Sequence, residues 1–279
     1  MEYRRFGKTG LDVSIIGFGG IVVMSATQED ANRAVAMAID RGVNYFDVAP
    51  GYGDAEERLG PALDGLRDGV VLACKTAERT SEAAEESLHR SLKRLRTDHF
   101  DIFQFHGVPD CATLDVIFGA DGAMKTFIKA REEGLIRNIG ITTHTPEVAL
   151  DAMSRFDFDS ILFPINFSYW YNKGVGLQVL EEAARKGMGR AAMKSMALQP
   201  WPEHEEHKWN KCWYMPNDDP ELAALALRFT LSQDINVAMP PGHVELFEMA
   251  LDVAEKFKPI EQDEIERLKQ AAVGLEPIF

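Results

Sequence analysis

An aspartate, a tyrosine, a lysine and a histidine stand at or just past the ends of three successive apolar runs. Asp47 closes VNYFDV, and Tyr52 follows it in FDVAPGYGDAEERLG; Lys75 closes VVLACK and His106 closes FDIFQFH. A free phenol has a pKa of about 10, too high for easy proton exchange near neutrality. An ammonium at Lys75 would lower it, and Asp47 would keep that ammonium charged and oriented. Tyr52 could then give a proton to a carbonyl oxygen as hydride arrives, or take one from an alcohol in reverse. His106 would orient the carbonyl oxygen by hydrogen bonding. Each residue alone has a plain structural reading, as a salt-bridged strand end, a loop-packing aromatic or a satisfied histidine. The chemical reading rests on all four meeting on one rim.

Such a rim requires parallel strands that end at the same place. Short β-type runs recur at 13–19, 43–48, 69–75, 100–106, 136–142, 160–166, 189–195 and 235–240. They are rich in β-branched and aromatic residues and bordered by Gly, Asp or Asn, as buried parallel strands are. Amphipathic spacing predicts helices between them at 28–41, 81–95, 123–133, 146–155, 176–186, 220–232 and 243–256. A short helix fits about 55–66 and a further one 261–272. Eight strands each followed by a helix predict a (β/α)₈ TIM barrel, in which strand C-termini converge on one catalytic mouth. A doubly wound open sheet would want GxGxxG after its first strand, and GFGGIVV at 17–23 lacks that spacing. The stretch 196–220 breaks the regular patterning and lies where barrel enzymes place active-site loops.

The chain has 279 residues, 46% hydrophobic and 27% charged, enough for one domain spanning 1–279. A formal net charge of -14 disfavours nucleic-acid and anionic membrane partners, though a local field can oppose the global one. Three cysteines, Cys74, Cys111 and Cys212, form no CxxC pair and read as reduced thiols. Neither a signal-peptide core nor a run of roughly 18 apolar residues is present, so the expected compartment is the cytoplasm.

At these motifs the chain resembles the aldo-keto reductase family. MEYRRFGKTGLDVSIIGFGG is similar to that family's N-terminal β-hairpin and first barrel strand, FDVAPGYGDAEERLG to its Asp-and-Tyr segment, VLACKT to its Lys strand, and FDIFQFHG to its His strand. GLIRNIGITTHT is similar to its fifth-strand motif. The resemblance implies NADPH or NADH at the barrel mouth, a carbonyl or alcohol as the small-molecule partner, and Asp47, Tyr52, Lys75 and His106 as catalytic tetrad. It places cofactor contacts at Gly19, Gly20 and Ile21, at Thr142 and Thr143, and at Asn166. Leu162 stands where the family usually has glutamine, and Met193 where an aromatic commonly stacks on nicotinamide; a thioether can pack against a ring. Branches of that family have a similar Met-Lys segment, and the resemblance implies that Met193 and Lys194 are mouth residues beside the cofactor.

Family members preferring NADPH carry Lys, Ser and Arg near the last strand to hold the 2′-phosphate. Residues 240–255 have no Lys or Arg but do have Glu245, Glu248, Asp252 and Glu255, which tilts the expectation toward NADH. Gly242 and the following helix start could accept pyrophosphate or ribose through backbone N–H groups.

His204, His207 and Cys212 have no standard zinc spacing, so no metal is expected. Trp201, Trp209, Trp213 and Tyr214 could wall a substrate site or pack on helices; Trp170 and Tyr171 pose the same choice. Cys74 should face the helices. A nicotinamide-nucleotide sensor with little turnover and a redox-neutral lyase or isomerase on the same rim are the alternatives to a reductase.

Overall fold

A computed structural model describes residues 1–279. It opens with an antiparallel hairpin, β1 (Tyr3–Arg5) and β2 (Asp12–Ser14). Eight parallel strands follow: β3 (Phe18–Gly19), β4 (Tyr45–Asp47), β5 (Val71–Thr76), β6 (Phe100–Val108), β7 (Ile136–Thr143), β8 (Ser160–Pro164), β9 (Gly189–Met193) and, last in sequence, β12 (Val237–Met239). They pair in that order, and a parallel bridge from Ile16 to Ala238 joins the first strand to the last. The expected (β/α)₈ barrel is therefore the fold. The run at 13–19 is not one strand. Its first residues belong to the hairpin, Ile16 bridges to Ala238 and Phe18–Gly19 pairs with β4, the chain bending between hairpin and barrel.

Alternation along each strand divides the apolar residues between two cores. Phe46, Leu72, Cys74, Phe103, Phe105, Ile139 and Phe163 face outward into the layer between sheet and helices. Tyr45, Val71, Ala73, Ile102, Leu162, Ala191 and Val237 face inward and fill the barrel. The helices are α1 (Gln28–Asp40), α2 (Ala55–Ala62), α3 (Ser81–Arg94), α4 (Cys111–Phe118), α5 (Ala123–Glu132), α6 (Pro146–Arg155), α7 (Phe167–Lys173), α8 (Leu177–Arg185), α9 (Pro220–Leu231), α10 (Val244–Glu255) and α11 (Gln262–Ala272). None is long and apolar enough to cross a membrane. Two of them, α4 and α7, were not expected from sequence. Both are short, with N-caps at Asp110 and Asn166. The stretch 196–220, expected to be irregular, contains an antiparallel ribbon of β10 (Ala197–Pro200) and β11 (Tyr214–Pro216).

The hairpin closes the barrel floor. Phe6 is fully buried, its ring 5.6 Å from that of Tyr45. Residue 189 must be glycine for this plug to fit, since a Cβ there would lie 2.5 Å from the Phe6 ring. Phe6→Ala is expected to destabilise the fold by about 3–5 kcal/mol, the usual cost of a large apolar cavity. Urea denaturation checks this, and a loss below about 1 kcal/mol would show that the plug is dispensable.

Candidate active site

The same alternation that fills the barrel places polar side chains at its upper end. Asp47, Lys75, Gln104, His106 and Thr142 follow inward-facing residues on β4 to β7, in register across neighbouring strands. Lys75 pairs through Nζ with Oδ1 of Asp47, and both side chains are buried. Gln104 Nε2 donates to the other Asp47 oxygen at 3.0 Å, so both carboxylate oxygens have partners. Tyr52 returns to the rim from the loop after β4, where the Tyr52 N–H donates to Ala49 O at 3.0 Å. Gly53 takes φ 57°, a conformation glycine adopts without strain, and so lets the chain turn at once into α2. Lys75 Nζ donates to Tyr52 Oη at 3.4 Å, and the Tyr52 ring meets that of His106 edge-on at 5.7 Å. The four residues singled out in the sequence are thus neighbours.

Their electrostatics differ from expectation in one respect. Burial raises the Tyr52 phenol above its ordinary value, and the Lys75 charge offsets this only partly. Burial opposes the Lys75 ammonium, but the charge of Asp47, then that of Tyr52, and the Asp47 hydrogen bond together raise it. Burial, followed by the charges of Lys75 and Arg79, depresses His106 to about 3. His106 is therefore a neutral imidazole at pH 5–9, able to donate from one ring nitrogen to a carbonyl. Arg79 steadies it from behind, donating to the His106 carbonyl oxygen at 2.6 Å. A pH–rate profile for reduction should consequently show no limb near 6.5. Below its folded pKa of about 3 the ring would gain a proton, and above it nothing changes. A limb at 6–7 that disappears in His106→Gln would contradict this assignment.

A cavity of about 380 Å³ opens above these groups. Of the remaining residues marked in the sequence, Gly19, Ile21, Thr142, Met193, Lys194 and Gly242 line it. Gly20, Thr143 and Asn166 do not. Gly20 is packed against Val48, and Thr143 points away and donates to Val108 O at 2.8 Å. Asn166 caps α7, accepting from the Tyr169 N–H at 2.9 Å. Alternation explains Thr143, because consecutive residues of β7 cannot both face the mouth. Thr142 Oγ1 accepts from the Gly107 N–H at 2.6 Å. Leu162 forms an apolar wall.

Sequence reasoning missed Gln104, which holds Asp47, and His144, which lines the cavity. The inward register of FDIFQFH, in which Gln104 precedes His106 by two, could have found the first. The aromatic segment divides. Trp213 and Tyr214 line the cavity. Trp201 stacks on His207, Trp209 packs against His243, and Trp170 and Tyr171 pack on Phe229. Cys74 is buried among helix-facing residues.

The loop joining β10 to β11 ties down two neighbours of the cavity. Lys211 Nζ donates to Val22 O at 2.8 Å, and its N–H donates to His243 Nε2 at 3.1 Å. A second hollow of about 490 Å³ continues from Lys211 to the start of α10. It is lined by Glu245 and Glu248, together with Asp30 and Arg33 of α1. Arg33 already pairs with Glu29 and Asp30.

Residues 15–273 match the family described as the aldo/keto reductase family. The chain is 31% identical over 179 residues to the uncharacterized oxidoreductase YqkF of Bacillus subtilis, covering 58% of this chain and 55% of that protein. It is 28% identical over 226 residues to L-galactose dehydrogenase of Arabidopsis thaliana, covering 75% of this chain and 70% of the relative. The match to YqkF thus spans about half of that protein's length. Among solved structures, an aldo-keto reductase from Klebsiella pneumoniae in complex with NADPH superposes with a TM-score of 0.74 at 20% identity, over 96% of this chain and 94% of that one. The fold and the match over residues 15–273 agree: the chain belongs to the aldo/keto reductase family.

Proposed function

We propose that the whole chain acts as one unit, an NAD(P)H-dependent oxidoreductase that interconverts an aldehyde, ketone or sugar-type carbonyl with its alcohol. The observation that carries this reading is the buried chain from Gln104 through Asp47 and Lys75 to the Tyr52 hydroxyl, ending in a cavity. The residues fit a nicotinamide cofactor. Gly19 and Gly242 line the cavity without side chains, Thr142 offers a hydroxyl, and Met193 offers a thioether against which a ring can pack. The groove continues past Lys211 to the start of α10.

A bound nicotinamide cofactor supplies or accepts the hydride. The chain's own residues manage the proton and the orientation. Tyr52 donates from Oη to the carbonyl oxygen as negative charge develops there. Lys75 stabilises the phenolate left behind, and Asp47, held by Gln104, keeps Lys75 charged and aimed. Neutral His106 donates a hydrogen bond to the same carbonyl oxygen and sets its position. A sugar-type carbonyl is supported by the likeness to an L-galactose dehydrogenase.

Between the two cofactors the groove favours NADH. Glu245, Glu248 and Asp30 oppose a 2′-phosphate, and Arg33 is engaged by two carboxylates. The NADPH complex of the Klebsiella pneumoniae relative shows that both forms must be tried. The test is parallel fluorescence titration with NADH and NADPH, followed by turnover on a panel of aldehydes and ketones. NADH should bind about tenfold tighter. A preference for NADPH would overturn the cofactor choice, and saturable binding without turnover would favour a sensor. No binding of either would turn the reading to redox-neutral chemistry.

A further inference from the structure

One lysine of the cavity, Lys194, has no hydrogen-bond or ion-pair partner. Lys194 follows β9 with φ 65°, a conformation that non-glycine residues adopt rarely. Its Nζ lies 4.6 Å from the centre of the Tyr214 ring and 5.2 Å from that of Trp213. It makes neither a hydrogen bond nor an ion pair, whereas the other cavity lysines do: Lys75 with Asp47, Lys211 with Val22 O. Asp47 is the cavity's single carboxylate, and its two oxygens are taken by Lys75 and Gln104. In a chain of net charge -14, the mouth therefore carries Lys75, Lys194 and Lys211 against one acid.

That inversion calls for an anion. A partly buried, unpaired ammonium is costly, and an incoming negative group recovers much of the cost. The position of the charge narrows the choice. Lys194 lines the same cavity as Tyr52 and His106, and its side chain lies against Tyr214 and Trp213 on the cavity wall. The number of cations narrows it further. His106 is held down to about 3 and His144 to about 4, burial being the main cause for each, so both imidazoles are neutral. Lysine, a point charge with no arginine fork among the cavity's cations, suits a monoanion better than a phosphate dianion.

We propose that Lys194 anchors a carboxylate on the substrate, making the preferred substrate an oxo acid. Its carbonyl lies at Tyr52 and His106, its carboxylate meets Lys194, and Trp213 and Tyr214 form walls around the connecting carbons. This deepens the reductase reading and rests on it. It also moves Lys194 from the cofactor side, where the sequence placed it, to the substrate side.

The test compares ω-oxo carboxylates of two to six carbons with their methyl esters, in wild type and Lys194→Met. The wild type should prefer the best acid over its ester by about 10- to 100-fold in kcat/KM, the size of a charge-assisted hydrogen bond. In Lys194→Met that ratio should fall toward one, through KM more than kcat. The ratio should also decline with rising pH as the ammonium is lost. Burial, and secondarily Lys75, lowers Lys194 to about 8, while Cys212 opposes them. Tyr214, His106 and His144 are the other titratable groups facing it.

Equal wild-type use of acid and ester would overturn the proposal. A fall in cofactor affinity as large as the fall in that ratio would do so too, by making Lys194 a cofactor contact. Tryptophan fluorescence with butanoate and butanamide separates the two readings, since Trp213 lies beside the charge. If no carbonyl is turned over, the reductase reading fails. Butanoate-specific quenching lost in Lys194→Met would still support the anchor, and equal response to both probes would end it.

Discussion

Tyr52→Phe is expected to lower kcat for carbonyl reduction by roughly 10²–10⁴-fold while changing the cofactor Kd by less than about twofold. The substitution removes one oxygen and keeps the ring that packs edge-on against His106. Lys75 keeps its pairing with Asp47, so no buried charge loses its main partner. What disappears is the hydroxyl proposed to give the proton. The raised phenol value fits this role, because burial keeps Oη protonated through neutrality and Lys75 makes the departing proton easier to lose. Stopped-flow hydride transfer with either cofactor, beside a fluorescence titration, separates the two quantities. Parallel loss of turnover and cofactor affinity would make Tyr52 a binding residue instead.

Much of this was legible because strand alternation obeys a strict period. FDIFQFH and VVLACK place His106 and Lys75 on the same side as the barrel core, and the structure brings both to the mouth beside Asp47. The same period argues against Thr142 and Thr143 as a joint pair, and only Thr142 lines the cavity. Other features depend on contacts between distant segments. Lys211 reaches Val22, Arg33 enters the hollow at α10, and Trp213 and Tyr214 sort to the cavity while Trp209 turns to His243. Nothing local separates these tryptophans, since all lie in one polar, proline-bearing stretch. The phenol shift was misjudged for a related reason. The Lys75 charge is visible in the sequence, but the burial that outweighs it belongs to the closed barrel.

The second large effect separates the stability of the buried pair from its chemistry. Lys75→Met leaves the Asp47 carboxylate buried, with Gln104 as its remaining side-chain donor. Breaking such a pair from one side typically costs about 3–5 kcal/mol, because the surviving charge lacks compensation. Turnover should also collapse, since the phenolate loses the ammonium that stabilises it. Adding Asp47→Asn removes the stranded charge and keeps an acceptor for Gln104 Nε2. The double variant should regain most of the lost stability, giving a coupling of at least about 2 kcal/mol in a double-mutant cycle. Activity should not return, because a neutral pair cannot lower the cost of forming phenolate. Denaturant unfolding measures the first quantity and single-turnover reduction the second. Native stability in Lys75→Met would show the pair to be solvated, and an active double variant would make it structural. Stability recovered without activity is the result that assigns the charge on Lys75 to catalysis.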